Sequence, residues 1–391
     1  MPTFSNPTSI TNPYFSVSGL EQVIQLGEEA GSVARNEITV LPETRVIDWN
    51  GQQVETVVSQ FIGYLDGRIV EGALDYFAQA DDGSVWYFGE DVDNYEDGAI
   101  LDHDGTWLAG RDGLPGMIMP ARPAVGVVFR PENVPGMVFE EDVVASISEV
   151  LVGPSGQISG GVLVEEHLMD GETEQKVYAA GYGEFRAQAE DELVTVALAV
   201  PTDAAADPEP SELREITSGA GDVMDALDAE DWAAASDALR AITTAWSAYR
   251  QLGVPELLDE QLTTALAALT EAVGAQDRPA AAQAAIEVSG AGLDLELRHR
   301  PVVEIDLARL GLWARQLIVD ADADQRGAVL GDVVVIDTIW TRAGHSVDAA
   351  DTGAVVALLD ELRSAADRGD VAAAREAATS LSVTVAGLLP S

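Results

Sequence analysis

The sequence contains no cysteine and only one lysine, Lys176, among its 21 basic residues. The absence of cysteine excludes disulfide bonds, thiol catalysis and metal sites with thiolate ligands. No stretch approaches the roughly 20 consecutive apolar residues that a transmembrane helix requires, so we expect no membrane span. The four histidines are scattered, and none has a second histidine three or four residues away. A site with several histidine ligands would therefore need residues from distant segments.

The excess of negative charge limits the possible partners. The chain has 67 acidic residues and a formal net charge of −46. Such a surface repels nucleic acid and anionic lipid, and it attracts divalent cations, basic proteins or a high-salt medium. A GC-rich genome or salt adaptation would also explain the composition. No nucleotide-binding glycine motif opens a helix, so we expect no nucleotide or flavin cofactor.

The first half of the chain has the pattern of β-strands. A length of 391 residues favours two domains. Residues 20–200 are rich in Val, Ile, Tyr, Phe and Trp, and turn dipeptides interrupt the apolar runs. Three of them, Asn50-Gly51, Asp66-Gly67 and Asp82-Gly83, predict hairpins. Successive hairpins favour an antiparallel curved sheet or a partial β-barrel.

The second half has the periodicity of α-helices. Residues 201–211, PTDAAADPEPS, predict a linker, with Ser211 as the cap of the next helix. Residues 212–390 then show apolar positions three and four apart. Similar alanine-rich segments, each starting with an aspartate that we expect to cap a helix, begin at Asp231, Asp277 and Asp370. The sequence therefore predicts a bundle of six or seven helices built from helical hairpins, and an α+β protein overall.

Charged residues interrupt one apolar stretch of the helical half. Residues 295–316, LELRHRPVVEIDLARLGLWARQ, combine arginines and carboxylates with a helical apolar pattern. Two explanations remain open at this stage, and this stretch is the preferred candidate for the contact between the two predicted domains. The charges form buried ion pairs within the bundle, or they face the β-domain.

The densest group of carboxylates lies in the predicted sheet. Residues 81–112 include VWYFGEDVDNYEDG, in which acidic residues follow an aromatic strand. If the chain turns after Gly89, their oxygen atoms can converge on a divalent cation such as calcium. The candidate metal ligands are Glu90, Asp91, Asp93, Glu96 and His103. The alternative is that these side chains point into water from a hairpin.

An apolar, proline-rich stretch follows this acidic segment. Residues 113–126, GLPGMIMPARPAVG, are too stiff for a helix and too apolar for an exposed loop. They are expected to cross the open side of the sheet and to form a ligand pocket with nearby aromatic residues. The candidate pocket residues are Trp86, Tyr87, Trp107, Asp112, Met117 and Met119. The same residues would also be consistent with an ordinary core that has an acidic edge.

The first residues of the chain predict an extended segment. Residues 1–19 are rich in Ser, Thr, Asn and Pro and lack the basic start and apolar centre of a signal peptide. This start suits a mature chain whose leader peptide was removed. The segment could also add as a strand to the sheet of a neighbouring copy, which would give self-association.

Parts of the β-half resemble a known type of domain. Residues 83–120, with WYFGEDVDNYEDG, GTWLAGRDG and PGMIMPA, are similar to a domain of secreted and lipid-anchored bacterial proteins, notably from actinobacteria. KVYAAGYGEF, residues 176–185, resembles the strand and turn near the end of such domains. The resemblance implies a β-domain and an extracytoplasmic location. It carries over no activity and no catalytic residue.

These observations favour an extracytoplasmic, non-catalytic binding protein. Its ligand would be a divalent cation or a small molecule in the acidic, aromatic-lined pocket. One alternative is a hydrolase that uses a pair of carboxylates at the same pocket. Another is a structural or surface-assembly protein that uses residues 1–19.

Overall fold

The chain folds into a β-unit followed by a helical unit. The computed structural model describes residues 2–389, except for the side chain of Ala350. The first position of the predicted 1–19 segment and the last of the predicted 212–390 bundle therefore lie outside the described residues. The first compact unit ends at Asp203 and the second begins at Ala204, although residues 97–99 group with the second. The predicted α+β class, with an antiparallel sheet before a helical bundle, is confirmed.

The β-unit is one continuous sheet in which neighbouring strands run antiparallel. The strands, in chain order, are β1 (Gln22–Glu29), β2 (Ser32–Trp49), β3 (Gln52–Leu65), β4 (Arg68–Gln79), β5 (Val85–Glu96), β6 (Ala99–Asp102), β7 (Trp107–Leu108), β8 (Gly116–Met119), β9 (Val128–Phe129), β10 (Asn133–Val134), β11 (Val138–Gly153), β12 (Gly156–Leu168), β13 (Thr173–Ala179), β14 (Gly183–Gln188) and β15 (Glu192–Val200). The main path runs from β10 in chain order to β15, continues through β1, and ends at β6. Strands β7 and β8 pair with β5, and β9 pairs with β11.

Two of the three predicted tight hairpins are confirmed. Asn50-Gly51 and Asp66-Gly67 join neighbouring strands, and all four residues have positive φ angles between 47° and 75°. This is the backbone of a type I′ turn, which matches the twist of the flanking strands. Asp82-Gly83 is different, because only Gly83 has a positive φ and the strands end at Gln79 and resume at Val85. It belongs to a longer loop.

The sheet curves until strands near its two ends meet, without forming a closed barrel. Strand β8, paired with β5, lies against β9, which is paired with β11. A Cβ atom on Gly116 would stand 1.6 Å from the carbonyl oxygen of Pro131, so only glycine permits this approach. The concave face buries an apolar core that includes Tyr76, Phe88 and Tyr178. Val177, on the opposite face of β13, belongs to a second core.

The described part of the N-terminal segment packs on its own β-unit. The Asp81 amide donates to the Thr3 carbonyl at 2.8 Å, and the Gln79 amide donates to Pro7 at the same distance. Phe15 is buried edge-to-face on the Phe77 ring. Two backbone carbonyl groups of this segment, those of Thr3 and Pro7, therefore already accept hydrogen bonds within the chain.

The start of the predicted linker belongs to the β-unit. Asp203 is almost fully buried, where it accepts hydrogen bonds from the hydroxyl groups of Ser155 and Tyr182 and from the Ala199 amide. The following residues have no regular secondary structure up to the first helix. That helix begins at Ser211 itself, and the capping position is occupied by Pro210. The prediction that Ser211 caps the helix is therefore wrong by one residue.

The described residues of the second unit form eight α-helices, one or two more than predicted. They are α1 (Ser211–Asp228), α2 (Trp232–Tyr249), α3 (Glu256–Ala275), α4 (Arg278–Glu296), α5 (Val302–Asp322), α6 (Arg326–Ala343), α7 (Ala349–Asp367) and α8 (Val371–Ala386). The three predicted aspartate caps are confirmed. The side chains of Asp231, Asp277 and Asp370 each accept at least one hydrogen bond from a backbone amide of the helix that follows. The caps stabilise α2, α4 and α8 by satisfying amides that have no helical partner.

The charged stretch of α4 and α5 forms ion pairs inside the bundle. Arg309 contacts Asp294 at 2.7 Å, and both side chains are almost fully buried. Arg342, from α6, contacts Asp306 at 2.8 Å and is buried to the same degree. The first of the two explanations offered by the sequence, buried ion pairs, is therefore confirmed. Among the described residues, no helix has the length and apolar character needed to cross a membrane.

Candidate cation site

The structure does not bring together the five predicted metal ligands. Strand β5 continues past Gly89 to Glu96 instead of turning away from the sheet. Gly89 has a φ of +119°, and a Cβ there would stand 2.2 Å from the Trp107 carbonyl oxygen, so the glycine allows β7 to pair with β5. Because the strand remains extended, successive carboxylates point to opposite faces of the sheet. Glu90 and Asp91 are thereby separated.

Asp91 has protein partners of its own. Its Oδ2 atom accepts hydrogen bonds from Arg45 at 2.6 Å and from the Tyr76 hydroxyl at 2.7 Å. The Arg45 guanidinium also stacks over the Tyr76 ring. Burial opposes ionisation, but these hydrogen bonds and the positive charge outweigh it and lower the pKa of Asp91. Asp91 is thus a stabilised carboxylate rather than a vacant metal ligand.

The remaining predicted ligands lie at the exposed end of the same hairpin. His103 Nδ1 is 2.8 Å from Asp93 Oδ1 and 3.0 Å from the Val92 carbonyl oxygen. The backbone carbonyl and the nearby carboxylates raise the pKa of His103, which favours a charged imidazolium over a metal ligand. The side chain of Glu96 is exposed. Within residues 2–389, neither Asp93 nor Glu96 lies close enough to two other potential ligand residues to form a cation cluster.

The predicted pocket residues belong mostly to the core. Tyr87 and Trp107 are buried in edge-to-face contact, and Met119 is fully buried. Trp86 and Met117 are partly buried against the same core. Asp112 accepts a hydrogen bond from the Leu108 amide at 2.8 Å and forms an ion pair with Arg111, so it closes a local turn. Of the two readings offered by the sequence, these contacts favour a core with an acidic edge.

A different acidic cluster lies on the concave face of the sheet. Glu140 and Asp142 lie two residues apart on β11, so their side chains point to the same face. Asp142 is directly opposite Glu166 of β12 in the antiparallel register. One oxygen atom from each of these three carboxylates lies within 4.8 Å of the other two. We call Glu140, Asp142 and Glu166 the acidic triad.

The position of the triad follows from the alternation of the strands. On β11 the inward residue that follows Asp142 is Val144, and Val144 pairs with Val164 of β12. Both valines are buried in the apolar core of the concave face. Glu166 is in phase with Val164 and therefore faces the same interior. The triad thus continues the inner face of the sheet at the point where apolar side chains give way to carboxylates.

Asp142 is the most unusual member of the triad. Its side chain is 0% exposed, and within the described part of the chain neither carboxylate oxygen receives a hydrogen bond. Burial, followed by the negative charge of Glu166, raises the pKa of Asp142 to about 8. Burial raises the pKa of Glu140 to about 10, with further contributions from Glu132 and Glu166. Like charges placed opposite each other in a sheet are destabilising, so ionisation of all three carboxyl groups is unfavourable.

The only lysine of the chain contacts the triad. Lys176 Nζ is 2.9 Å from Glu166 Oε2 and 3.1 Å from Oε1. Burial by itself would lower the pKa of Lys176, but the carboxylates of Glu166, Glu184 and Glu140 raise it well above its usual value. The ammonium group therefore stays charged and neutralises one of the negative charges.

A second group of carboxylates extends from the triad toward β4 and β5. Asp75 and Glu90 are opposite each other in the register of these strands, and Tyr87 donates a hydrogen bond to Asp75 at 2.7 Å. Burial raises the pKa of Glu90 to about 10, with the charges of Asp75 and Glu132 as further causes. Glu132 has a raised pKa for the same main reason. Of the predicted ligands, Glu90 alone belongs to this interior acidic region.

The triad was not predicted from the sequence, although two signals of it are present there. Glu140, Glu141 and Asp142 interrupt an otherwise Val- and Ile-rich strand pattern, and alternation assigns the first and third to one face. The second signal is the single lysine, Lys176, which lies on β13, the strand paired with β12. Neither signal identifies Glu166, because pairing of β11 with β12 brings it to Asp142.

Comparisons with known proteins provide no family assignment. No protein-family model matches the chain, and no curated protein matches it. The resemblance of residues 83–120 and 176–185 to a domain of secreted bacterial proteins therefore stays a prediction.

Proposed function

We propose that the β-unit binds a divalent cation through Glu140, Asp142 and Glu166, and that calcium is the preferred ion. The observation that carries this proposal is the fully buried Asp142 carboxylate, which faces two other carboxylates and accepts no hydrogen bond from the described residues. A bound cation would supply the missing positive charge. It would also remove the free-energy cost of ionising neighbouring buried acids.

The geometry of the triad suits a large, hard cation. Calcium binds oxygen ligands at about 2.3–2.6 Å, so two oxygens on the same ion are separated by at most about 5 Å. The spacing of 4.8 Å or less within the triad satisfies this condition. Magnesium requires oxygen ligands at about 2.0–2.1 Å and a near-ideal octahedron, which is a stricter demand. Zinc favours sulfur and nitrogen ligands, and the triad has neither.

A calorimetric titration of the chelator-treated full chain tests the proposal. We expect saturable binding of calcium, weaker binding of magnesium, and loss of calcium binding in Glu140→Gln/Glu166→Gln. The matched control is Glu141→Gln. Glu141 lies between the two β11 ligands, but it pairs with Arg130 and its side chain is 39% exposed. The control removes one negative charge from β11 outside the triad, so it should bind calcium like the wild type.

Two results would contradict the proposed site. One is the absence of saturable binding across calcium, magnesium, manganese and zinc. The other is equal loss of affinity in the double variant and in Glu141→Gln, which would indicate attraction of cations by the general negative charge rather than by the triad.

An extracytoplasmic location is proposed together with this function. It is supported by the resemblance of residues 83–120 to a domain of secreted and lipid-anchored proteins. Calcium sites of extracellular modules bind with dissociation constants on the order of 10⁻⁴–10⁻³ M, so a site of moderate affinity would be occupied there. Fractionation of the source cells with immunodetection tests the location, and recovery of the chain only with cytosolic markers would contradict it.

A further inference from the structure

The single lysine of the chain forms an ion pair with Glu166, a carboxylate that the proposed cation would also need. Lys176 contacts both oxygens of Glu166, at 2.9 and 3.1 Å, and Glu166 is 1% exposed. In the sheet register Lys176 pairs with Val164, so it reaches Glu166 diagonally across the strand pair. The other basic residues of the chain are all arginines.

An ammonium group and a metal ion compete for Glu166 because both require its oxygens. A calcium ion bound to Glu166 would lie about 2.3–2.6 Å from an oxygen that is itself close to Lys176 Nζ. The two positive charges would then be separated by no more than about 5.5 Å, and in a partly desolvated site they repel strongly. Lysine can adjust to this competition, because its flexible stem carries a compact charge with no fixed planar geometry.

We propose that Lys176 acts as a tethered cation that sets the affinity and the charge selectivity of the triad. This inference rests on the proposed cation site. Without metal, the ammonium group occupies Glu166 and stabilises it. A divalent cation brings twice the charge and displaces the ammonium group from Glu166. Sodium or potassium brings no more charge than the ammonium group and must compete with a tethered, already bound group, so monovalent ions are excluded.

Substitution of the lysine should change selectivity as well as affinity. We expect Lys176→Met to bind calcium at least tenfold more tightly than the wild type in tetramethylammonium chloride, because the competing charge is gone. The tetramethylammonium ion is too large to be coordinated by the triad. When sodium chloride replaces tetramethylammonium chloride at equal ionic strength, the calcium affinity of the Lys176→Met variant should fall severalfold. The calcium affinity of the wild type should stay nearly unchanged. Arg35→Met is the matched control, since it breaks the Arg35–Glu37 ion pair on β2.

The wild-type chain provides a second test that does not depend on a variant. Selective ¹⁵N-lysine labelling gives a single side-chain Nζ resonance, because the chain has one lysine. Saturation with calcium should shift this resonance as the ammonium group leaves Glu166, whereas saturation with sodium should not. This measurement remains decisive if Lys176→Met fails to fold.

The outcomes separate the inference from the proposed function. Calcium binding with an unchanged Nζ resonance, or with equal affinity and equal sodium sensitivity in the wild type and Lys176→Met, overturns the role of Lys176 and retains the site. Weaker calcium binding in a folded Lys176→Met also overturns the inference, because it would show that the lysine supports the site. Failure of the wild type to bind any metal refutes the proposed function and the inference together.

Discussion

Replacement of Asp142 by asparagine should have opposite effects on stability and on cation binding. Asparagine keeps the size and shape of the side chain but cannot ionise. Like the protonated form of Asp142, it can donate a hydrogen bond to Glu166. In the metal-free protein we expect Asp142→Asn to stabilise the β-unit. We also expect it to abolish the stabilisation that calcium gives the wild type.

The magnitude follows from the pKa of the buried carboxyl group. Asp142 has a pKa of about 8 in the folded chain, against an ordinary value of 3.8. At pH 7 the unfolded chain is ionised at this position, whereas the folded chain retains the proton. Folding at pH 7 therefore requires uptake of a proton, roughly three pH units above the pKa of the unfolded chain. At about 1.36 kcal/mol per pH unit, this uptake costs on the order of 4 kcal/mol. Asparagine is neutral in both states, so the variant gains up to this amount.

The assay is urea denaturation of the full chain at pH 7, in chelator and in excess calcium. Hydrogen exchange of peptides from β11 and β12 assigns the change to the β-unit, because the chain has two compact units and need not unfold in one step. Calcium at a hundred times its dissociation constant should stabilise the wild type by about 2.7 kcal/mol. Glu141→Gln should respond to calcium like the wild type.

One combination of results would refute the reasoning. If Asp142→Asn lowers the stability of the chelated protein by more than about 1 kcal/mol and still responds fully to calcium, the carboxylate is neither a source of strain nor a ligand. It would then be an ordinary buried polar group whose hydrogen bonds the substitution has broken.

Three further predictions concern other parts of the chain. Burial raises the pKa of Asp75 to about 7, so the folded state holds a proton that the unfolded state loses above pH 3.8. The free energy of unfolding should therefore fall by roughly 4 kcal/mol between about pH 4 and 7. Urea titrations at several pH values should show a flatter pH dependence for Asp75→Asn. Asp231→Ala should lower the free energy of unfolding by about 1 kcal/mol, through loss of the α2 cap, and an unchanged urea midpoint would contradict this. Arg342→Met should cost about 3–5 kcal/mol because it leaves Asp306 buried with one of its cations removed, and thermal melting with no detectable shift would refute it.

Local sequence signals predicted the elements of the fold well. Asn50-Gly51 and Asp66-Gly67 specify their turns because few residues adopt two consecutive positive φ angles. The aspartates at 231, 277 and 370 specify helix starts because a side-chain oxygen satisfies amides that the helix leaves unpaired. In each case the physical cause lies within a few residues, so the sequence reveals it directly.

The same reliance on local sequence grouped carboxylates that the structure separates. Glu90, Asp91, Asp93 and Glu96 are close along the chain, but strand β5 remains extended and divides them between two faces. Asp91 also accepts a hydrogen bond from Arg45, which lies 46 positions earlier in the chain. Local density of carboxylates is therefore a poor guide to convergence in a sheet.

By itself, the amino-acid sequence determined that a β-unit precedes a helical unit, where several turns and helix starts fall, and that the molecule is strongly acidic with a single lysine. Only the tertiary structure decided which carboxylates meet. Asp142 faces Glu166 because of the register of β11 on β12, which includes irregularities between Val144 and Val150. A shift of one residue would turn Asp142 to the other face of the sheet and separate the triad. Strand register depends on the packing of the whole sheet, so no short stretch of sequence encodes it.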